Sequence, residues 1–300
     1  MEYREGVIRY GPEDLKNIPD RKADANKGDY GRVLLIAGSF GMSGAAYLSA
    51  LAAYRTGAGL VRILTPEDNR IILQTSLPEA IVTAYDPEEI LSGNEKWKQK
   101  ISGLLEWPDV IVLGPGLGKE GYAVKLTEEV LSSAYVPLLI DADGLNTIAA
   151  YPYLTNYYTE NIIVTPHVGE MARLTGKSIP EVCSDLLNAA SEYRDTYGVT
   201  CLLKSDRSVT ASNDGKLYET VYGTPALAKA GTGDVLTGVI AGLLCLGYEL
   251  GEAAAFGSFL HAMAGRKAAE KFSEHGILSR DVADAIPLVM KKRTETEEKT

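Results

Sequence analysis

The sequence predicts an α/β fold with a mostly parallel central sheet and helices on both of its faces. Three observations carry this expectation. Short runs of almost wholly apolar residues recur at 33–37, 60–64, 110–113, 138–140, 162–164 and 199–203. Helical patterns fall between them, at 43–56, 67–74, 120–132 and 179–197. Unbroken apolar runs alternating with helices describe strands buried on both sides, as in a parallel sheet.

The elements can be justified in order. The run at 33–37 is a buried strand, and 43–56 is an Ala-rich helix with Leu48 and Leu51 on one face. The runs at 60–64, 110–113, 138–140, 162–164 and 199–203 repeat the strand type, each after a helical stretch or a short turn. The style then changes. Val209-Thr210-Ala211 and 217–220 flank Asn213-Asp214-Gly215, which predicts a hairpin with a type I′ turn. Residues 231–289 are largely helical, with Val235, Leu236, Val239, Ile240, Leu243 and Leu244 at helical spacing. No internal repeat or linker interrupts the pattern, so one domain over 1–300 is expected, with a frayed, charged tail from Lys291.

Composition narrows the function. Of 300 residues 45% are hydrophobic and 23% charged, which excludes low-complexity disorder. Against 30 Lys and Arg stand 40 Asp and Glu, a net charge of −10. That balance argues against nucleic acid and against a membrane surface as partners. It also requires any anionic ligand to be bound against the overall field. Three cysteines, Cys183, Cys201 and Cys245, form no C-x-x-C pair, which suggests reduced thiols in the cytoplasm. The N-terminal stretch has no apolar signal core, and the longest apolar stretch, 235–248, is too short to span a bilayer.

Ligands of open α/β sheets sit beyond the carboxyl ends of the strands, where the Gly-rich and polar motifs cluster. The first is Gly38-Ser39-Phe40-Gly41-Met42-Ser43-Gly44-Ala45, which lets backbone approach a ligand ahead of a helix N-terminus. It is neither a Walker A loop nor a Rossmann fingerprint, and a tight strand–helix turn is the plain alternative. Gly114-Pro115-Gly116-Leu117-Gly118 repeats the device. In Thr165-Pro166-His167-Val168-Gly169-Glu170 a helix starts near His167, which places that side chain at the ligand edge or in a structural hydrogen bond. Glu170, a turn further on, either meets a metal through water or stabilises the helix start.

The most specific motif is Gly231-Thr232-Gly233-Asp234, directly before the amphipathic helix. Its amides would cradle charge developing on a transferred phosphoryl group, and Asp234 would take a proton from an attacking hydroxyl. The alternative for Asp234 is a helix cap. Asp141-Ala142-Asp143-Gly144 ends a strand, where an acid could face Mg²⁺ or cap a helix, and Lys204-Ser205-Asp206-Arg207-Ser208 makes a polar corner suited to a nucleotide. His261, inside an Ala-rich helix, and His275 read as structural or solvated.

Together with Lys27-Gly28-Asp29-Tyr30-Gly31 these motifs resemble the NAD(P)H-hydrate dehydratase family, a branch of the ribokinase-like fold. The resemblance runs over about 26–290; the segment TPHVGEMARLTG is family-specific, and Asn26 stands where the family has His. Two further departures are Lys204-Ser205 for the usual Lys-Gly and Gly223-Thr224-Pro225-Ala226 for the usual Gly-Asn-Pro-Gly.

The resemblance implies a three-layer α/β/α fold and an enzyme that restores hydrated NADH and NADPH, (6S)-NADHX and (6S)-NADPHX, at the expense of ADP or ATP, most readily ADP. The ring hydroxyl is phosphorylated and then lost as phosphate. Carried over residue by residue, Asp234 is the base and Gly231, Thr232 and Gly233 form the anion hole. Lys204, Ser205, Asp206, Arg207, Ser208 and Gly233 hold the adenine nucleotide. Ala45, Gly116 and His167, with Asp234, meet the hydrated dinucleotide. Mg²⁺ offsets phosphate charge, with Glu170 its candidate protein contact. A homotetramer is expected, and an N-terminal epimerase domain is not, since only about 26 residues precede the motifs. The competing readings are a ribokinase-like kinase of a small vitamin-precursor alcohol and a non-catalytic nucleotide-binding protein.

Overall fold

The structure is a computed structural model that describes residues 6–291; apart from Lys291, the charged tail lies outside the described residues. The strands are β1 (Val7–Ile8), β2 (Arg32–Ile36), β3 (Leu60–Pro66), β4 (Ile81–Tyr85), β5 (Val110–Leu113), β6 (Leu138–Ile140), β7 (Ile162–Val164), β8 (Thr200–Leu203), β9 (Val209–Ala211) and β10 (Leu217–Glu219). They form one sheet in the order β1-β10-β9-β8-β7-β6-β5-β2-β3-β4. Seven of them, β8-β7-β6-β5-β2-β3-β4, run parallel; β9 is antiparallel to both of its neighbours. The expected α/β architecture is therefore present.

The helices are α1 (Ser43–Thr56), α2 (Arg70–Ser76), α3 (Pro87–Ser92), α4 (Glu95–Leu105), α5 (Gly121–Ser133), α6 (Asp143–Ala150), α7 (Val168–Thr175), α8 (Ile179–Ser184), α9 (Leu186–Tyr197), α10 (Thr232–Cys245), α11 (Leu250–Gly276) and α12 (Ser279–Met290). Two cores explain why the strands read as unbroken apolar runs. Val33 and Leu35 of β2, Val110 and Val112 of β5 and Leu202 of β8 face one core, shared with α1, α10, α11 and α12. Their sequence neighbours Leu34, Ile36, Ile111, Leu113, Cys201 and Leu203 face the other, shared with α4, α5 and α9. Successive strand side chains point to opposite faces, so a strand buried on both has no polar alternation to show.

Three local expectations need correction. The stretch 179–197 is two helices, because Asp185 leaves helical geometry (φ −153°, ψ 90°) and accepts a hydrogen bond from the Asn188 amide at 3.1 Å, capping α9 afresh. The stretch 67–74 opens with a 3₁₀ turn, Glu67–Asn69, before α2. The β9–β10 turn is not type I′: of its residues only Gly215 has positive φ, 89°. The Gly215 amide bonds Ser212 O at 2.9 Å and the Ser212 amide bonds Lys216 O at 2.9 Å, a type I turn closed by a left-handed glycine. Strand β4 and helices α3 and α4 carried no signal used above, and neither did β1, a two-residue strand pairing in parallel with β10.

The element that positions the site is α10, which lies hard against α1. A Cβ on Gly238 would come within 2.1 Å of Ser49 O, and one on Gly242 within 2.5 Å of Thr56 Cβ. Only small residues let the two backbones approach so closely. Their N-termini are thereby held side by side at the carboxyl edge of the sheet. No helix among the described residues is long and apolar enough to cross a membrane.

Candidate active site

From β2 the chain runs out through β3 and β4, then returns to β5 on the other side of β2. The carboxyl ends of β2 and β5 thus flank a topological switch point, where two connections diverge and leave a crevice. Both glycine loops lie there. The Gly38 amide bonds Pro115 O at 2.8 Å, tying one loop to the other. A Cβ on Gly116 would sit 2.9 Å from Ala45 Cβ, so the two residues expected to meet the dinucleotide pack directly against each other where the loops meet. Gly114 has φ 121°, and a Cβ there would strike Asp141 O at 2.0 Å. Backbone of the next strand's end occupies the place of any side chain.

The chemistry concentrates one strand over. Asp141, at the end of β6, is 1% exposed, and both carboxylate oxygens are engaged. Oδ1 receives Lys204 Nζ at 2.5 Å and Thr165 Oγ1 at 2.9 Å, and Oδ2 receives Thr237 Oγ1 at 2.9 Å. Buried charge survives only when paired in this way. Burial works against the Lys204 ammonium, but Asp141 and Glu170 more than offset it and raise its pKa. The residue after Asp141, Ala142, has φ 49° and ψ −115°, strained backbone at the turn that launches α6. Asp143, the first residue of α6, accepts from the Gly118 amide at 3.0 Å and so clips the second glycine loop to this turn.

Asp234 sits in the first turn of α10, after Gly231 (φ 89°). The Val235 amide bonds Gly231 O at 3.1 Å and the Thr232 amide bonds Lys229 O at 3.4 Å. The Gly233 and Asp234 amides are then the first-turn donors open to an anion. Lys204 Nζ lies 3.7 Å and Asp141 Oδ2 4.0 Å from where a Gly233 Cβ would be. Burial pushes the Asp234 carboxyl up to about 7, Asp141 and Asp143 push the same way, and Lys204 opposes them. A carboxylate titrating near neutrality is suited to act as a base at working pH. The Ser49 hydroxyl of α1 donates to Asp234 O at 2.9 Å, one turn beyond Ala45. Asp234 is thus tied through Ser49 to α1, and its neighbour Gly233 lies beside Lys204.

On the far side of Lys204 opens a cleft of about 320 Å³, lined by His167, Lys204, Ser205, Asp206, Ser208, Thr220, Gly223, Leu227, Thr232, Gly233, Leu236, Ser258, His261 and Ala262. Five of the six residues expected to hold the nucleotide are there. The exception is Arg207, whose guanidinium turns to Glu219 at 2.6 Å; its backbone stays in the corner, donating to Ser205 Oγ at 3.0 Å. His261, read from sequence as structural, lines the cleft with Ser258 and Ala262, a spacing of i, i+3, i+4 that marks one helix face. A larger hollow of about 520 Å³ lies at the opposite end of the strands, among Asp109, Glu160, Asp214, Glu249 and Glu252 with no base in its wall. An anion would be repelled there.

His167 and Glu170 have settled local duties. His167 caps α7: its Nδ1 accepts from the Gly169 amide at 2.9 Å and more weakly from Glu170 at 3.4 Å. Burial, then Lys204 and Arg173, lower its pKa, so the ring is the neutral acceptor this requires. Glu170 returns the bond, Oε2 accepting from the His167 amide at 2.8 Å. Burial and Asp141 raise the Glu170 carboxyl to about 7, with Lys204 opposing. The segment Lys27–Tyr30 lies at the other edge of the sheet, where Asn26 Oδ1 accepts from Gly28 at 2.8 Å and caps the turn into β2.

Known proteins share this arrangement. The chain is 38% identical over 93% of its length to the bifunctional NAD(P)H-hydrate repair enzyme Nnr of Moorella thermoacetica, of which it covers 52%. It thus spans about half the length of such relatives. With the ADP-dependent (S)-NAD(P)H-hydrate dehydratase of Bacillus subtilis it shares 33% identity, over 92% of this chain and 94% of that one. A structure of the Bacillus subtilis ADP/ATP-dependent NAD(P)H-hydrate dehydratase, co-crystallized with ATP and Mg²⁺, superposes with a TM-score of 0.80 at 29% identity, covering 95% of this chain and 98% of that one. The family model for NAD(P)H-hydrate dehydratase matches residues 33–288, from the first buried strand to the last helix, and so takes in every motif of the crevice, the cleft and the turn between them. The chain belongs to the NAD(P)H-hydrate dehydratase family, on a ribokinase-like fold.

Proposed function

We propose that this chain, as one ribokinase-like domain, restores (6S)-NADHX and (6S)-NADPHX to NADH and NADPH with an adenine nucleotide as phosphoryl donor, ADP in first place. One observation carries the reading. A half-buried carboxylate raised to about 7 lies in the first turn of α10, whose Gly233 lines the cleft with Lys204 and whose Asp234 carbonyl is held by Ser49 of α1, one turn beyond Ala45.

The chemistry follows from that placement. The junction of the two glycine loops takes the hydrated dinucleotide, with Ala45 and Gly116 against it, while His167 stands in the wall of the cleft beside Lys204. The cleft takes the nucleotide, held by Lys204, Ser205, Asp206, Ser208 and the Arg207 backbone. Asp234 removes the proton from the ring hydroxyl, whose oxygen attacks the terminal phosphorus. The nucleotide leaves one phosphate shorter. Gly231, Thr232 and Gly233 present the helix N-terminus to the charge that develops on the transferred group. The ring hydroxyl, a poor leaving group, has become a phosphate ester. It departs as phosphate while a neighbouring ring carbon loses a proton, which restores the double bond.

No group of three or more His, Cys, Asp or Glu among the described residues could cage a metal. Asp141 has no free oxygen, and Glu170 is half engaged. These donors would fit Mg²⁺ that arrives on the nucleotide phosphates and keeps its waters, with Glu170 Oε1, 3.6 Å from His167 Nε2, the oxygen left to meet that water shell. Bound there, the ion neutralises phosphate charge. The protein works in the cytoplasm as a homotetramer on this reading.

The deciding experiment incubates the protein with enzymatically hydrated NADH and, in parallel, ADP, ATP or neither, each with and without chelator. Absorbance of the reduced nicotinamide should return with nucleotide and Mg²⁺ and not otherwise. Recovery with neither nucleotide, beside phosphorylation of a vitamin alcohol, would overturn the reading.

A further inference from the structure

Lys204 is already committed, with Nζ 2.5 Å from Asp141 Oδ1 and 4.0 Å from Glu170 Oε2. A second cation stands close by with its charge unspent. Arg173, in the last turn of α7, donates from Nε to Asn146 Oδ1 at 3.1 Å. That acceptor is a neutral amide. Among the described residues no carboxylate comes within ion-pair distance of this guanidinium, and no other hydrogen bond falls on it. Glu170 and His167 feel it only through space.

The contacts of Arg173 give its place. Asn146, in the first turn of α6, donates from Nδ2 to Asp143 Oδ1 at 3.2 Å, and Asp143 Oδ2 accepts from the Gly118 amide at 3.0 Å. Three hydrogen bonds in series therefore connect the guanidinium to the second glycine loop. On its other side, Nη1 lies 3.8 Å from where a Gly169 Cβ would be, a point 2.8 Å from Cε1 of His167 in the cleft wall. Arg173 thus stands between the glycine loops and the nucleotide cleft. The guanidinium is planar and rigid, so a bond at Nε fixes the direction of the whole fork. Asn146 is itself braced by Asp143, which leaves Nη1 and Nη2 as an oriented pair of donors on an exposed side chain. Such a pair matches two oxygens of a phosphate group.

We propose that Arg173 is a binding residue for the dinucleotide: Nη1 and Nη2 take the bridging pyrophosphate of hydrated NADH or NADPH, and Asn146 sets the plane of the fork. This rests on the reading above, in which the dinucleotide lies where the glycine loops meet. The hydrogen bonds lead from Arg173 to one of those loops, while the phosphates of the adenine nucleotide have Lys204 and the α10 N-terminus.

Two variants test it. Arg173→Gln keeps an N–H for Asn146 and removes the charge; Arg173→Lys keeps the charge and removes the fork. The KM for hydrated NADH should rise about ten- to fiftyfold with Gln and by less with Lys. The KM for ADP and kcat should stay within about threefold. Melting temperatures should agree within about 2 °C, since the side chain is exposed. Added KCl should raise the wild-type KM for hydrated NADH more steeply than that of the Gln variant. In parallel, NADH is titrated without nucleotide and followed by its own fluorescence. Its Kd should weaken in the Gln variant by a similar factor.

A KM for hydrated NADH within threefold of wild type in the Gln variant overturns the proposal. So does a loss confined to the KM for ADP, since Arg173 would then serve the nucleotide. A fall in kcat and melting temperature at unchanged KM overturns it as well, leaving Arg173 only a tie between α6 and α7. If wild type is inactive with every nucleotide, the dehydratase reading fails. The NADH titration then still decides this one: equal affinity in wild type and Gln, or no binding by wild type, refutes it.

Discussion

Replacing Asp234 by Asn should make the protein slower and more stable at once. The carboxyl is raised from 3.8 to about 7, first by burial and then by Asp141 and Asp143. A raised carboxylate destabilises the fold once ionised. Its favourable contribution is complete below the unfolded value and is lost as pH climbs through about 7. A rise of about three pKa units corresponds to about 4 kcal/mol, and the partly open face of the side chain brings the expectation to about 2–4 kcal/mol. Asn cannot ionise and escapes this cost. Thermal melts of the two proteins should therefore nearly coincide at about pH 4 and separate by several degrees at about pH 8, with Asn the higher. The same substitution removes the proposed base, so turnover should drop by about 10²–10⁴ while ADP binding is largely kept. Wild-type turnover should itself weaken as pH falls below about 7, where Asp234 takes up its proton. A melting gap of equal size at both pH values would mean that the carboxylate is not strained. Turnover of the Asn variant within tenfold of wild type would remove Asp234 as base.

Two more substitutions probe the frame around it. Lys204→Met strips Asp141, 1% exposed, of its cation, leaving only the hydroxyls of Thr165 and Thr237. Urea unfolding should show a loss of about 3 kcal/mol, and the acid limb of the pH–rate profile should move to higher pH, since Lys204 holds Asp234 down. Gly114→Ala drives a Cβ to within 2.0 Å of Asp141 O at φ 121°; it should cost about 3 kcal/mol or more by the same measurement.

The sheet was legible because strands buried on both faces have one composition and recur between helices; 110–113, 138–140 and 162–164 coincide with β5, β6 and β7. The helix 43–56 was legible from its small residues, which the close contact with α10 explains. Strand β4 was not, because its partly exposed edge position (Ile81 is 39% exposed) gives neither a clean apolar run nor a clean alternation. The hairpin was placed correctly, but its turn type hung on one backbone angle at Asp214, which Asn-Asp-Gly leaves free. In the candidate site, the glycine motifs announced where backbones crowd together at the carboxyl ends of β2 and β5. What the sequence could not convey was which side chains turn inward from one polar corner. Arg207 goes to Glu219, while Lys204, three residues earlier, goes to Asp141. His261 was passed over because an Ala-rich helix buries most of what it carries; its spacing from Ser258 and Ala262 was the available signal.

The net charge of −10 remains to be set against the two polyanionic ligands of the proposed reaction. Around Lys204 stand Asp141, Glu170 and Asp234, with Arg173 beyond Glu170, three acids to two bases, so the site repeats the imbalance of the whole chain instead of reversing it. Two of the three are raised to about 7 and share a proton population with solvent near neutrality. An arriving phosphate would raise them further, and a base that binds its proton too tightly is lost. The positive field that prevents this has to be local and oriented. The N-terminus of α10 supplies part of it, Lys204 a second part, and a divalent ion carried on the phosphates the remainder. Other acids stand in exposed pairs such as Arg55–Asp284 and Lys98–Glu95, which contribute little and are screened by salt. The overall acidity therefore bears on solubility and on the rejection of nucleic acid, while affinity for phosphate is decided within one helix turn of Gly233.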